Sequence, residues 1–252
     1  MKSPSNVLVT GATSGFGAAI AHRFIAEGHR VIATGRRAER LQALAAECGE
    51  RLHPVVLDVR DPQAIAAALV ALPPAFAAID ILVNNAGLAL GLKPAHEAEL
   101  TDWEQMVDTN IKGLMYMTRA VTPGMVERGR GHVINLGSVA GEWPYPGGNV
   151  YGGTKAFVRQ FSLNLRADLV GRGVRVSNVE PGMAETEFSL VRYGGDAEKA
   201  ASIYAGTHPM TADDIAETVY WIASRPPHVN INTISLMPEC QAFSAFTVKR
   251  KD

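Results

Sequence analysis

Tyr151 and Lys155, four residues apart, are the pair in this sequence best suited to proton transfer. On a helix, residues at this spacing lie on one face, so the phenol and the ammonium would be neighbours. A free tyrosine has a pKa near about 10, and an adjacent positive charge favours its phenolate form. The pair is therefore a candidate general acid and base, although such pairs also occur by chance on helix surfaces.

A glycine-rich stretch near the N-terminus separates an apolar run from a helical pattern. Its sequence is Thr10-Gly11-Ala12-Thr13-Ser14-Gly15-Phe16-Gly17. Glycines there would let the backbone approach a pyrophosphate, and the helix N-terminus would offer free N–H groups. The spacing is GxxxGxG rather than the general GxGxxG, and a glycine-rich turn without a ligand is the alternative. The predicted cofactor contacts are Gly11, Thr13, Ser14, Gly15, Phe16 and Gly17.

Two arginines, Arg36 and Arg37, follow the second apolar run. An NAD site usually places a carboxylate here to bind the ribose 2′-hydroxyl, and this sequence has none. Guanidinium groups suit a 2′-phosphate through charge-assisted bidentate contacts. NADP(H) is therefore predicted over NAD(H), with the alternative that both arginines only begin a solvated helix.

Apolar runs alternate with helical patterns along the whole chain, which predicts an α/β fold. We expect a single Rossmann-type, doubly wound and mostly parallel sheet of seven strands with helices on both faces. The strands are predicted at residues 7–9, 31–33, 52–57, 79–83, 133–136, 174–179 and 231–236. Helices are predicted at 16–27, 39–48, from Pro62 after an Asp61 N-cap, at 101–127 with a capping box at 101–104, at 150–169 and at 211–223.

The predicted domain organisation is one domain over residues 1–252, with a cofactor-binding part at about 1–140 and a catalytic part at about 138–252. A long irregular stretch at about 183–210 is predicted to be a lid. Net charge is −1, so nothing indicates nucleic acid or an anionic membrane as a partner. Cys48 and Cys240 have no metal-ligand spacing, and a disulfide between them stays open. With no apolar signal core or membrane span in view, a cytoplasmic protein is expected.

An ordered set of motifs resembles the short-chain dehydrogenase/reductase family along essentially the whole chain. The set comprises the TGxxxGxG turn, Asn84-Asn85-Ala86-Gly87, Asn110, Ser138, Tyr151 with Lys155, and Pro181-Gly182. The stretches at 143–146, 154–161 and 228–232 are similar to NADP-dependent 3-hydroxy acid dehydrogenases, which act on serine and allo-threonine and as semialdehyde reductases. Residues 183–188 also resemble the sister sulfoacetaldehyde reductases.

The resemblance implies four catalytic roles. Tyr151 would be the general acid and base, and Lys155 would bind the nicotinamide ribose and lower the pKa of Tyr151. Ser138 would donate to the substrate oxygen. Asn110 would anchor a water relay, and its poor helix propensity beside Thr109 agrees with a local break in the helix.

Further cofactor contacts are implied at the ends of other strands. Asp58 and Val59 would contact the adenine, although Asp58 could instead cap a helix. Residues 85–87 would pass along the adenosine ribose, and the nicotinamide would be flanked near residues 181–186. The implied contacts are Asp58, Val59, Asn85, Ala86, Gly87, Pro181, Gly182, Met183 and Thr186.

The predicted substrate is a small anionic hydroxy acid or aldehyde that lies beneath the 183–210 stretch. Its anionic end needs a cation, and Arg192 is the best-placed one, although most loop arginines are solvated. Trp143, Tyr145 and Asn149 could line the pocket beside Tyr151, or Trp143 could belong to the core.

Two alternative functions stay open for this sequence. Sulfoacetaldehyde reduction is the nearer alternative, and an NADP-sensing protein without turnover is the remote one. The resemblance also implies a homotetramer. The apolar stretch 237–248, with Phe243 and Phe246, could pack on a partner or on its own domain.

Overall fold

Seven parallel strands form one sheet in the computed structural model, which describes residues 4–243. Their order is β3-β2-β1-β4-β5-β6-β7. The strands are β1 (Asn6–Thr10), β2 (Arg30–Gly35), β3 (Leu52–Val56), β4 (Ile79–Asn84), β5 (Gly131–Leu136), β6 (Val174–Pro181) and β7 (Thr233–Leu236). The order reverses between β1 and β4, and ligands of such sheets bind at the carboxyl ends of the strands beside this reversal.

Helices cover both faces of the sheet. They are α1 (Gly15–Ala26), α2 (Ala38–Cys48), α3 (Pro62–Val70), α4 (Leu100–Val107), α5 (Leu114–Glu127), α6 (Asn149–Asp168), α7 (Glu187–Arg192), α8 (Ala197–Ser202) and α9 (Ala212–Ala223). Within residues 4–243, no helix combines the length and the apolar character needed to cross a membrane.

Alternation along each strand divides the apolar side chains between two cores. In β1, Val7 and Val9 point into the core beneath α1, α2 and α9, whereas Leu8 points into the core beneath α3 and α5. In β4, Val83 points into the core beneath α1, α2 and α9, and Leu82 points into the core beneath α3 and α5. Both faces of these strands are therefore buried, which explains why they are continuous apolar runs in the sequence.

The predicted fold class is confirmed, and the sheet is parallel throughout. The predicted Asp61 cap is present, since its carboxylate accepts a hydrogen bond from the Ala64 N–H. The predicted capping box at 101–104 is wrong: α4 begins one residue earlier with Glu99 as N-cap, so Thr101 lies inside the first turn. Of the predicted C-terminal stretch, residues 244–248, including Phe246, lie outside the described residues.

Candidate active site

A cleft of about 350 Å³ opens at the carboxyl ends of the strands beside the β1–β4 reversal. One end lies at the turn after β1 and the other at Tyr151 on α6. Most of the predicted cofactor and catalytic residues line it. They are Gly11, Thr13, Ser14, Gly15, Phe16, Arg36, Arg37, Asp58, Val59, Asn85, Ala86, Gly87, Ser138, Tyr151, Lys155, Pro181, Gly182 and Thr186.

Sequence reasoning missed several residues that line the same cleft. Those next to strand ends, such as Leu57 and Leu136, could have been found from the strand pattern alone. Those on α7 lie within the stretch predicted to be a lid, but no pattern in that stretch indicates which of its side chains face the cleft. The missed residues are Gly35, Leu57, Leu88, Thr109, Leu136, Gly137, Ala184, Glu187, Phe188 and Val191.

The turn after β1 has the shape needed to accept a pyrophosphate. Gly11 and Gly15 have φ angles of 67° and 51°, in the left-handed region that favours glycine. Gly17 does not line the cleft, but a Cβ there would collide with the Gly11 carbonyl, so glycine is needed for the turn to close. The α1 N-cap, Ser14, makes no side-chain cap, so the first N–H groups of this helix can bind an anion. These residues fit a dinucleotide.

Asn85 holds this turn against the end of β4. Its side-chain amide donates to the Thr10 carbonyl at 2.9 Å and to the Gly11 carbonyl at 3.2 Å. The Thr10 hydroxyl in turn accepts from the N–H groups of Asn85 and Ala86. The Asn85 side chain therefore stabilises the shape of the turn after β1, and the residue also lines the cleft.

The predicted 2′-phosphate arginines are exposed at the adenosine end of the cleft. Arg37 donates to the Thr13 hydroxyl at 2.8 Å and to the Ser14 hydroxyl at 2.7 Å. Arg36 makes no side-chain hydrogen bond or ion pair within residues 4–243, so its donors are available to a ligand. A 2′-phosphate fits this group of cations and hydroxyls.

Asp58 lies beside the arginines and does not cap a helix, since Asp61 is the α3 N-cap. Its carboxylate is paired with Arg60, whose Nη2 lies 2.6 Å from Oδ2. The hydrogen bond from the Arg60 side chain is the largest cause that lowers the pKa of Asp58. Asp58 is therefore an ionised acceptor at the adenosine end, where an adenine amino group could donate to it.

Tyr151 and Lys155 are both buried at the other end of the cleft, each only 8% exposed. The Lys155 Nζ donates to the Leu136 carbonyl at 2.7 Å and lies 5.8 Å from the centre of the Tyr151 ring. Burial raises the pKa of Tyr151 to about 12, which a hydrogen bond with Ser138 partly offsets. Burial lowers the pKa of Lys155 to about 8.

The expected lowering of the Tyr151 pKa by Lys155 is thus not found in the structure. Burial, which removes the phenolate from water, raises the pKa of Tyr151 more than the Ser138 hydrogen bond and the Arg192 charge lower it, so the phenol stays protonated at neutral pH. The spatial part of the prediction holds, because the two side chains occupy the same end of the cleft.

Ser138 follows β5 and lies half-buried beside Tyr151. Its hydroxyl donates to the Pro181 carbonyl at 3.4 Å, a weak contact, and accepts from the Ala140 N–H at 3.2 Å. The hydroxyl proton can therefore turn to a substrate oxygen at little cost.

Asn110 lies in a π-helical segment, Asp108–Gly113, between α4 and α5. The predicted local break is present at this position. The buried amide of Asn110 accepts from the Leu88 N–H at 2.9 Å and donates to the Leu88 carbonyl at 2.8 Å. It also donates to the Thr154 hydroxyl at 3.1 Å, which ties the segment to α6. Its side chain does not line the cleft, and both of its donors are used within the protein.

The predicted lid contains two short helices, α7 and α8, in place of the expected irregular chain. At the catalytic end, the Arg192 Nη2 donates to the Tyr145 hydroxyl at 2.6 Å. The guanidinium carbon lies 5.5 Å from the centre of the Tyr151 ring. The Arg192 Nε is buried and has no hydrogen-bond partner within residues 4–243. Arg192 and Tyr145 are therefore beside Tyr151, just outside the lining of the cleft.

Other predicted residues lie elsewhere. The Trp143 ring packs on Phe243 with centroids 4.4 Å apart. Asn149 is exposed, donates to the Lys93 carbonyl and lines a separate small groove, because it is the first residue of α6 and faces away from Tyr151. Met183 does not line the cleft, and its N–H donates to the Gln241 side chain.

Replacing Lys155 with methionine should make the protein more stable at neutral pH, because a buried ammonium is exchanged for an apolar chain of similar length. The free energy of unfolding should rise by about 1–3 kcal/mol at pH 7. The pKa of Lys155 is about 8 in the folded protein and near 10.5 in the unfolded chain. Between these two pH values, the lysine is protonated in the unfolded chain and mostly neutral in the folded protein. The free energy of unfolding of the wild type therefore rises with pH in this window, and the difference by which Lys155→Met is more stable should become smaller.

Urea unfolding at pH 7 and at pH 9.5 measures this difference. Lys199→Met, at an ammonium whose side chain is 69% exposed, is the control and should differ little from wild type. A Lys155→Met protein that is less stable at pH 7, with a difference independent of pH, would contradict the burial argument.

The chain is similar to a known protein family over most of its length. The family model described as short chain dehydrogenase matches residues 5–192. An NADP-dependent 3-hydroxy acid dehydrogenase of Salmonella typhi is 62% identical over 245 residues, 97% of this chain and 99% of the relative. A serine 3-dehydrogenase of Agrobacterium fabrum is 59% identical over 245 residues, 97% and 98% of the two chains.

Solved structures agree with these relatives. A closed form of serine dehydrogenase complexed with NADP+ has a TM-score of 0.96 and 60% identity, over 97% of this chain and 99% of that one. The match covers the turn after β1, the strand ends and α6, which together carry the cleft. This chain belongs to the short-chain dehydrogenase family.

Proposed function

We propose that this protein is an NADP(H)-dependent dehydrogenase that interconverts a small 3-hydroxy acid, of the serine, allo-threonine or 3-hydroxypropionate type, and its semialdehyde or keto form. The observation that carries this proposal is the group formed by Ser138 and the buried Tyr151 and Lys155 at one end of a dinucleotide-shaped cleft, with Arg192 beside it. Relatives 59–62% identical over 97% of the chain are 3-hydroxy acid and serine dehydrogenases, which supports the same conclusion.

The cofactor would lie along the cleft with its charged groups on matching donors. The turn at residues 11–17 and the α1 N-terminus bind the pyrophosphate, and Arg36 and Arg37 bind the 2′-phosphate. Two of the three Lys155 donors remain after its bond to Leu136, and they bind the nicotinamide ribose. When bound, NADP(H) supplies the hydride acceptor or donor.

The protein's own residues move the proton. In oxidation, the ionised Tyr151 oxygen accepts the hydroxyl proton of the substrate, while the carbinol hydrogen leaves as hydride with its bonding electron pair and the C=O bond forms. Because the pKa of Tyr151 is raised, high pH favours this direction. In reduction, the Tyr151 phenol donates its proton to the alkoxide oxygen. Ser138 donates a hydrogen bond to that oxygen and stabilises its developing charge. With the pKa raised to about 12, Tyr151 holds the proton that reduction needs at neutral pH.

Asn110 supports the proton path by its position. Its amide joins Leu88 to Thr154, one residue before Lys155. A Cβ on Gly87 would lie 3.3 Å from the Asn110 Oδ1 and 3.6 Å from the Lys155 Nζ, so the two polar groups flank the same glycine. A water molecule beside Gly87 would link Lys155 to the π-helical segment that contains Asn110.

Arg192 would bind the anionic end of the substrate. Its guanidinium lies between the rings of Tyr145 and Tyr151, and its Nε lacks a partner within the described residues. A buried donor without an acceptor is costly, and a substrate carboxylate would satisfy it. The relatives named above give no support to the sulfoacetaldehyde alternative. The complete catalytic group argues against a protein that binds NADP without turnover.

Replacing Tyr151 with phenylalanine should lower kcat by about 10²–10⁴-fold, because the proton donor and acceptor is lost. NADPH should still bind, since the ring keeps its packing. The assay compares serine, 3-hydroxypropionate, 3-hydroxyisobutyrate and sulfoacetaldehyde with NADP(H) and with NAD(H). Near-normal turnover by Tyr151→Phe refutes the acid–base role, and equal use of both cofactors refutes the NADP(H) selectivity.

Replacing Arg192 with methionine should raise KM for 3-hydroxypropionate about 10- to 100-fold, because a hydrogen bond between charged groups is lost. KM for the uncharged methyl ester should change little. Arg172→Met, at an exposed arginine on the loop before β6, is the matched control. Equal KM values for the acid in Arg192→Met and wild type would remove Arg192 from the substrate site.

A homotetramer and a cytoplasmic location are part of the same proposal. On one side of α6, Phe157 and Phe161 are partly exposed and stack with ring centroids 5.6 Å apart. Such an apolar surface is suited to pairing with a second copy. Light scattering should give four times the chain mass of 26.9 kDa, and a monomer mass would refute the assembly.

A further inference from the structure

The carboxylate of Glu187, the first residue of α7, reaches across the cleft to two arginines of the cofactor-binding half. Its two oxygens accept from the Arg40 Nη1 at 2.7 and 2.8 Å. Its Oε2 also accepts from the Arg37 Nη1 at 3.2 Å. These contacts join residues about 150 positions apart, and they fasten the lid to the end of the cleft that faces the adenosine.

The two contacts differ in what else each arginine does. Arg40 does not line the cleft. Its hydrogen bonds to Glu187, at 2.7 and 2.8 Å, are shorter than the one that Arg37 makes to Glu187. Arg37 lines the cleft and also donates to the hydroxyls of Thr13 and Ser14 in the pyrophosphate turn. Its contact with Glu187 is the longer one, so it is the easier of the two to exchange for another anion.

Glu187 offers the arginines the same kind of group as a phosphate does. Hydrogen bonds from Arg40, and then from Arg37, lower the pKa of Glu187, so it is an anion at neutral pH. Guanidinium groups bind carboxylate and phosphate oxygens with the same geometry. An anion brought beside Arg37 therefore meets a negative charge that already holds one of its donors.

We propose that Glu187 and the 2′-phosphate of NADP(H) compete for Arg37, so that Glu187 sets the affinity for the phosphorylated cofactor. This inference rests on the proposed 2′-phosphate role of Arg36 and Arg37. In the exchange, Arg37 turns its Nη1 from Glu187 to the phosphate, while Arg40 keeps the carboxylate and the end of the lid.

The competition predicts a direction of change in ligand affinity that a purely structural contact would not produce. Glu187 weakens the binding of ligands with a 2′-phosphate, because the phosphate must replace Glu187 as the partner of Arg37 and must approach the negative charge of Glu187. Ligands without that phosphate leave the contact intact and are unaffected. The same carboxylate helps to release NADP(H) after turnover, because it can return to Arg37 as the phosphate leaves.

Calorimetric titration of the full chain with adenosine 2′,5′-bisphosphate and with adenosine 5′-monophosphate tests this proposal. These fragments occupy the adenosine end without reaching the nicotinamide end. Glu187→Gln should bind the bisphosphate about three- to tenfold more tightly than wild type at low salt. The monophosphate should bind both proteins equally, and added salt should reduce the gain.

Glu185→Gln is the matched control. It removes the same charge two residues away, from an exposed side chain that makes no ion pair within the described residues. Its affinity for the bisphosphate should equal that of wild type. An equal gain in Glu185→Gln, or no gain in Glu187→Gln, overturns the competition. If wild type itself binds the two fragments equally, the 2′-phosphate assignment fails, and the competition with it.

Discussion

The hydrogen bond from the Lys155 ammonium to the Leu136 carbonyl, 2.7 Å long, is the contact on which the arrangement of the site depends. It ties α6 to the carboxyl end of β5, where a buried cation requires an acceptor. Ser138 follows two residues after Leu136, and Tyr151 lies one helical turn before Lys155. One hydrogen bond between a helix and a strand end thus brings three chemically active side chains to one place.

Burial of that contact determines the protonation states of the site. Low polarity favours the neutral form of every group, so it raises the pKa of Tyr151 to about 12 and lowers that of Lys155 to about 8. The two side chains are therefore a protonated phenol and a mostly charged amine at pH 7. The sequence pattern suggests that the lysine lowers the pKa of the tyrosine. In this structure, burial is the largest cause that acts on the pKa of Tyr151, and it raises that pKa.

The short helix α7 connects the two ends of the cleft. Its first residue, Glu187, contacts the arginines at the adenosine end, and its last, Arg192, contacts Tyr145 at the catalytic end. Both contacts cross between distant parts of the chain. A lid fastened at both ends is able to respond to ligands at either end of the cleft, since Glu187 holds Arg37 and Arg192 lies 5.5 Å from the centre of the Tyr151 ring.

The sequence alone determined the alternating strands and helices, the glycine turn and the spacing of Tyr151 and Lys155, because local periodicity and backbone geometry encode them. Strand ends that the sequence predicted lie within two residues of those observed. Only the tertiary structure decided that Asn149 faces away, that Arg192 meets Tyr145, and that Glu187 reaches Arg37. These contacts join residues far apart in the chain, and their geometry depends on how the lid packs on the sheet, which no local pattern specifies.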